Sequence, residues 1–167
     1  MDDRLPIVFR EFRPADIDAL YFLHQRCHPP AAQLRYSALL DLILNHDAAA
    51  MVAEATEQPG SRLAGGLIVR GEPWHFRMHI AALMVGERYR RQGIGRRLVA
   101  WAERMAAGYR FQELLTTLGE GQPEGEALLA ATGFVRLPPA ENPTGAEEPG
   151  TRSEVTWKKE LHYVTAP

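Results

Sequence analysis

The chain has 167 residues, 46% of them apolar and 24% charged, which excludes disordered and fibrous classes and suits a single globular domain over residues 1–167. The 19 basic and 21 acidic residues sum to −2, so no global positive field exists to hold a nucleic acid backbone. Cys27 stands alone, which rules out an intrachain disulfide and a thiolate zinc cluster, and no apolar run reaches membrane-spanning length. A cytoplasmic protein with no metal, no nucleic acid and no membrane partner is expected.

Residues 7–12 are β-branched or aromatic enough for a first strand, and Arg13-Pro14-Ala15-Asp16 then opens a helix carrying Ile17, Leu20, Tyr21 and His24. Pro29 and Pro30 stop it, and a second helix is predicted over residues 32–44. Residues 50–55 and 63–70 read as a hairpin across the polar turn Glu57-Gln58-Pro59-Gly60-Ser61. Residues 74–85 form the most apolar strand, with Ile80, Ala82 and Met84 expected on one face and Ala81, Leu83 and Val85 on the other, the mark of a central strand covered on both sides. A helix over 94–107 follows, its stripe formed by Ile94, Leu98, Trp101, Ala102 and Met105. A strand over 113–118 then implies a right-handed parallel crossover. A short helix over 124–132 ends at Gly133, and residues 134–137 and 154–161 read as a closing strand pair around a Pro-, Gly- and Glu-rich linker at 138–152.

Chemistry concentrates in residues 83–98, where two glycines and a run of backbone amides open a helix directly after the central strand. The first amides of a helix have no internal partner and the helix dipole is positive there, so such a terminus binds anions. Gly93 and Gly95 are expected to remove the Cβ atoms that would keep phosphate oxygens from the main chain. A dinucleotide fingerprint needs a third glycine where Leu98 stands, and a nucleoside triphosphate loop needs Gly-Lys-Ser/Thr where Gly95-Arg96-Arg97 stands. Arg88, Arg90, Arg91, Arg96 and Arg97 read either as a solvated helix start or as a cluster around a polyphosphate, of which about two need touch it.

The spacing Arg90-x-x-Gly93-x-Gly95, preceded by Leu83-x-Val85 and Tyr89, resembles the acetyl-CoA signature of the GNAT superfamily of N-acetyltransferases. The element order, from Arg13-Pro14-x-Asp16 to Gly133-Phe134, is similar across the whole chain. The resemblance implies an α/β fold: a twisted, mostly antiparallel sheet with one parallel strand pair and helices on both faces. It implies acetyl-CoA as co-substrate, with the backbone of Leu83, Met84 and Val85 bonding the pantetheine arm and Arg90, Arg91, Gln92, Gly93, Ile94, Gly95 and Arg96 around the pyrophosphate. It further implies a splay between the fourth and fifth strands that admits the thioester, an amide near Val85 facing the developing oxyanion, and a contact from Gln122, which stands where an asparagine is common.

Two positions depart from the family pattern. His79, expected to share strand parity with Leu83 and Val85, stands where many members carry a glutamate base; an imidazole of ordinary pKa near 6.5 can deprotonate an ammonium, and the bland alternative is a hydrogen-bonded strand histidine. His75 and Glu72 are outlying candidates for the same role. Leu129 replaces the usual tyrosine acid, so the departing thiolate must leave unprotonated or take a proton from water or a group such as Tyr36, and Leu129→Tyr is expected to raise transfer provided the phenol reaches the sulfur without overpacking its neighbours. The loops 27–36 and 138–152 are where this fold builds its acceptor pocket, and Glu141, Glu147 and Glu148 favour a cationic amine or read as ordinary loop solvation. The expected reaction is acyl transfer from acetyl-CoA to a primary amine of a small molecule or peptide. The rivals are an acyl-CoA-binding regulatory module with little or no turnover and a polyphosphate- or nucleic-acid-binding domain using the same arginines. Exposed edge strands leave a homodimer open.

Overall fold

A computed structural model describes residues 6–56, 61–138 and 154–162. Seven strands form one sheet: β1 (Ile7–Glu11), β2 (Ala48–Thr56), β3 (Ser61–Glu72), β4 (Arg77–Val85), β5 (Glu113–Gly119), β6 (Val135–Arg136) and β7 (Glu154–Glu160), in the order β1-β2-β3-β4-β5-β7-β6. Every neighbouring pair is antiparallel except β4 with β5. Helices α1 (Ile17–Cys27) and α2 (Tyr36–Leu44) cover one face, while α3 (Ile94–Gly108) and α4 (Pro123–Ala131) contribute to the core on the other. This is the expected mixed α/β architecture.

Two cores follow from that layering. Leu20, Leu23 and Leu39 pack on Val52, Ile68, Ala82 and Met84, all buried. Opposite them, Leu98, Val99, Trp101, Ala102 and Ala106 of α3 pack on Leu67, Val69, Met78, Ile80 and Leu114, joined by Leu129, Phe134 and Trp157. β4 is therefore apolar on both sides, as its composition requires.

Three expectations about elements change. The second helix begins at Tyr36, not at residue 32, because tertiary hydrogen bonds take the preceding backbone. Leu34 N–H donates to His24 Nε2 at 3.0 Å, and Gln33 Nε2 donates to Gln25 O and His28 O, leaving only a 3₁₀ turn at Pro30–Ala32. The central strand begins at Arg77, not at residue 74, because Pro73–His75 makes a 3₁₀ turn and Phe76 takes a left-handed φ of 51°.

The third change matters for the site. In the β3–β4 register Ile68 faces Ala82 and Val69 faces Ile80, so Ala81 is an extra residue, a β-bulge. A bulge resets which face each later side chain occupies. Met78 and Ile80 thus enter the α3 core, whereas Ala82 and Met84 enter the α1/α2 core. Leu83 and Val85 pack toward α3. His79 consequently lies on the α1/α2 face, opposite Leu83 and Val85, and does not share their parity. Of the linker at 138–152, only Pro138 is described; the turn residues 57–60 and Glu141, Glu147 and Glu148 lie outside the described residues.

Candidate active site

The bulge also ends the parallel pairing. β4 and β5 bond from Arg77↔Glu113 to Ile80↔Thr116 and no further, although β4 runs on to Val85 and β5 to Gly119. Thr116 Oγ1 donates to Ile80 O at 3.1 Å and closes the last paired step. Beyond it the strands part, and residues 82–85 have a strand partner on the β3 side alone, while Ala81 has none. The expected splay is therefore present, with a one-sided backbone edge at Leu83, Met84 and Val85. Met84 offers only its main chain, since its side chain is buried in the α1/α2 core.

At the wide end of the splay sits the start of α3. Gly93 is its N-cap at φ 81°, Arg91 is also left-handed at φ 62°, and the first helical donor is Arg97, whose N–H bonds Gly93 O at 3.1 Å. The amides of Ile94, Gly95 and Arg96 precede it and have no internal acceptor. A Cβ on Gly93 would meet nothing within 4 Å, so this glycine serves the left-handed turn and keeps the nest open. Gly95 has a different reason. A Cβ there would sit 2.9 Å from Leu128 Cδ2 and 3.7 Å from Val85 Cγ2, so its absence allows α3 to approach α4 and corrects the expectation that Gly95 makes room for phosphate.

The arginines divide. Arg97 stacks over the Phe9 ring at 3.9 Å and Arg88 over Tyr89 at 5.4 Å. Arg90 donates from Nε to Val85 O at 3.3 Å and pairs through Nη1 with Glu124 at 3.0 Å, tying the end of β4 to the first turn of α4. Arg91 and Arg96 are exposed and make no ion pair among the described residues, which leaves two arginines beside the amide nest. Gln92 Nε2 donates to Arg88 O at 3.3 Å, and Ile94 is buried in the α3 core, so both support the turn. Gln122 precedes α4 and its Nε2 lies 3.1 Å from where a Gly119 Cβ would be, at the open end of β5.

His79 opens into the splay from the opposite face. A cavity of about 270 Å³ is lined there by Leu42, Arg70, His79, Ile80, Ala81, Thr117 and Glu154. His79 Nε2 lies 3.2 Å from Glu72 Oε1, close but not aligned for a hydrogen bond. Burial lowers the His79 pKa, only partly countered by Glu72, so the ring is neutral at pH 7. Burial alone would raise the Glu72 carboxyl, but the hydrogen bond from Arg77 Nε at 2.8 Å and the nearby positive charge bring it down to about 2. With His79 neutral, Arg77 is the partner that holds this charge near pH 7. His75 Nδ1 lies 3.4 Å from Glu72 Oε2 on the exposed turn, and His75 does not line the splay cavity.

Two proton-donor candidates lie elsewhere. Tyr36 is exposed and donates to Asp18 Oδ1 at 2.9 Å, away from the cavity lining. Leu129 is 4% exposed within the α3 core, so its position packs the fold and does not present a side chain to the splay. A tyrosine at this position would have to displace core neighbours, the overpacking that the expected gain from Leu129→Tyr requires to be absent. A second cavity of about 520 Å³ is lined by Asn45, His46, Asp47, Gly71, Glu72, Pro73, Trp74 and His75, and it shares Arg70 with the first. Neither cavity is lined by residues 27–36. Arg70, Thr117 and Glu154, which line the His79 cavity, and Arg77, which bonds Glu72, gave no signal in the sequence, because charged and hydroxylic strand residues look like ordinary solvated positions until the register brings them together.

The site thus combines a sheet whose parallel pairing stops after Ile80↔Thr116, a run of amides at the start of α3 without internal acceptors, and His79 in a cavity on the α1/α2 face. Residues 17–134 match the acetyltransferase (GNAT) family, and the chain belongs to that family. No curated protein matches it by sequence. Among solved structures it is similar to the ribosomal-protein-S18-alanine N-acetyltransferase from Escherichia coli, at 16% identity and TM-score 0.73, over 95% of this chain and 96% of that one. It is also similar to a GNAT-family acetyltransferase from Staphylococcus aureus (12% identity, TM-score 0.77, 94% and 100% covered) and to nourseothricin acetyltransferase (17%, 0.69, 93% and 99%). At these identities the likeness supports the fold.

Proposed function

We propose that the protein transfers an acetyl or short acyl group from acetyl-CoA to a primary amine, with His79 as the base. The observation that carries this reading is the break in β4–β5 pairing after Ile80↔Thr116, which leaves the β4 edge at Leu83, Met84 and Val85 without a β5 partner, in the stretch of chain between His79 and the start of α3. The nest, with Arg91 and Arg96 beside it, fits a pyrophosphate, and the one-sided backbone of Leu83, Met84 and Val85 fits an amide-bearing arm. Bound acetyl-CoA supplies a thioester carbonyl.

The chain's own residues then have distinct tasks. Neutral His79 takes a proton from the acceptor ammonium, directly or through water, generating the attacking amine. The free β4 edge supplies a donor to the carbonyl oxygen as negative charge develops there. With Leu129 in the core, the leaving thiolate takes its proton from solvent, which a thiol of pKa somewhat above 8 permits at modest cost.

Leu129 also favours a second reading, an acyl-CoA-binding module with weak or no turnover. The test is thiol release from acetyl-CoA in the presence of pooled amines, peptides and polyamines, run on the native protein and on His79→Gln. Transfer predicts thiol release that depends on an amine and falls on the order of a hundredfold in His79→Gln while CoA affinity holds. Tight CoA binding with no release against the whole panel would leave the module reading in its place.

A further inference from the structure

Arg70 and His79 face each other across β3 and β4, and Glu72 and Arg77 form the next facing pair. The bulge at Ala81 lies beyond both pairs, so these four side chains share the sheet face on which Leu42 of α2 approaches. Within this quartet the charges are not equally committed. Glu72 Oε2 accepts from Arg77 Nε at 2.8 Å, whereas Arg70 Nη2 reaches Glu72 Oε1 only at 3.5 Å, with His79 Nε2 already 3.2 Å from that oxygen. The Arg77 side chain is 18% exposed and the Arg70 side chain 45%. Arg77 neutralises Glu72, and Arg70 retains donors aimed at solvent.

Arg70 also lines both cavities: the inner one at the splay and the outer one under Trp74. Glu154, the first residue of β7, lines the inner cavity on the far side of the splay, near Thr117 and Ala81. Trp74 stands 93% exposed on the 3₁₀ turn at the outer cavity and offers an indole face to the rest of a ligand.

We infer that the acceptor is a zwitterion of the amino-acid type, its ammonium drawn toward Glu154 and His79, its carboxylate held by Arg70, and its side chain lodged in the outer cavity against Trp74. This rests on the proposed transfer to an amine and specifies its substrate class. A guanidinium presents a fork of donors that a carboxylate accepts in pairs, whereas an acceptor with a second cation would set that charge against Arg70. Polyamines are therefore disfavoured and amino acids favoured.

The experiment compares L-phenylalanine, L-leucine and L-glutamate with their methyl esters and with 1,4-diaminobutane as acceptors of acetyl-CoA. It uses the full chain, Arg70→Gln and Arg70→Lys. The expected native result is a kcat/KM for free acids on the order of tenfold to a hundredfold above that for the esters, with the diamine poorest. In Arg70→Gln the acid-to-ester ratio falls to about one, chiefly through KM, and Arg70→Lys recovers part of it. Equal use of acids and esters by the native chain, or preference for the diamine, overturns the inference. Binding without acetyl-CoA is read from tryptophan fluorescence, because Trp74 is exposed while Trp101 and Trp157 are buried. Phenylalanine and leucine are expected to perturb it in the native chain, weakly in Arg70→Gln and not in Trp74→Phe. Arg70-dependent binding with no thiol release would reject transfer and keep the recognition; absence of both the binding and the acid preference rejects the recognition itself.

Discussion

Gly93 separates backbone strain from electrostatics in the proposed cofactor site. It sits at φ 81°, ψ 3°, and a side chain added there points into space that is empty to 4 Å. Asparagine and aspartate tolerate the left-handed region better than other residues and have nearly the same shape, so Gly93→Asn and Gly93→Asp should lose similar stability. That loss is about 1 kcal/mol, or roughly 2–4 °C in Tm for a chain of this size. Only the aspartate brings a charge. Placed about 5 Å from a bound diphosphate at an effective dielectric of about 20, one carboxylate repels by roughly 3 kcal/mol, and exposure reduces this to about 2 kcal/mol, a factor of about thirty in affinity. Calorimetric titration of both variants with CoA is expected to show this gap at low ionic strength and a narrower one at high salt. Equal CoA affinity for the two, within about threefold at low salt, would mean that the pyrophosphate does not lie on the α3 nest.

Three further outcomes follow from the same structure. Gly95→Ala drives a Cβ against Leu128 and should couple to Leu128→Ala by about 1 kcal/mol in a double-mutant cycle read by urea unfolding; additivity within about 0.3 kcal/mol would show that the contact does not matter. Leu129→Tyr overpacks the α3 core and should lower stability by about 1–3 kcal/mol without raising thiol release; faster release in a stable variant would show that position 129 reaches the reacting sulfur after all. Asp16 accepts from both Arg10 Nη atoms at 2.7 and 2.8 Å and from Arg13 N–H at 2.7 Å, and the Arg10 bonds lead the depression of its pKa. A depressed carboxyl stabilises fully above its unfolded pKa near 3.9 and loses that contribution as pH falls through the folded value. Asp16→Asn should therefore cost about 2 kcal/mol at pH 7, and the difference from the native chain should shrink below about pH 4; a pH-independent difference would count against this ionic account.

The sequence by itself determined the element order, the α3 stripe and the glycine turn with unpaired amides at its start. These are local: Gly93 and the amides after it are set by a few adjacent residues, and helical periodicity at Ile94, Leu98, Trp101 and Ala102 survives any tertiary detail. The same locality hides that Arg90 also ties Val85 to Glu124 and that the missing Cβ of Gly95 admits Leu128. What only the tertiary structure decided was register. A strand period of two assigns His79 to the face of Leu83 and Val85, and one extra residue at Ala81 moves it to the other. That bulge is invisible in an apolar run because nothing in Ile80-Ala81-Ala82 marks which residue will lack a partner. The partner strand β3 decides it, and with it where β4 leaves β5, which face the imidazole opens on, and that Arg70 stands opposite His79.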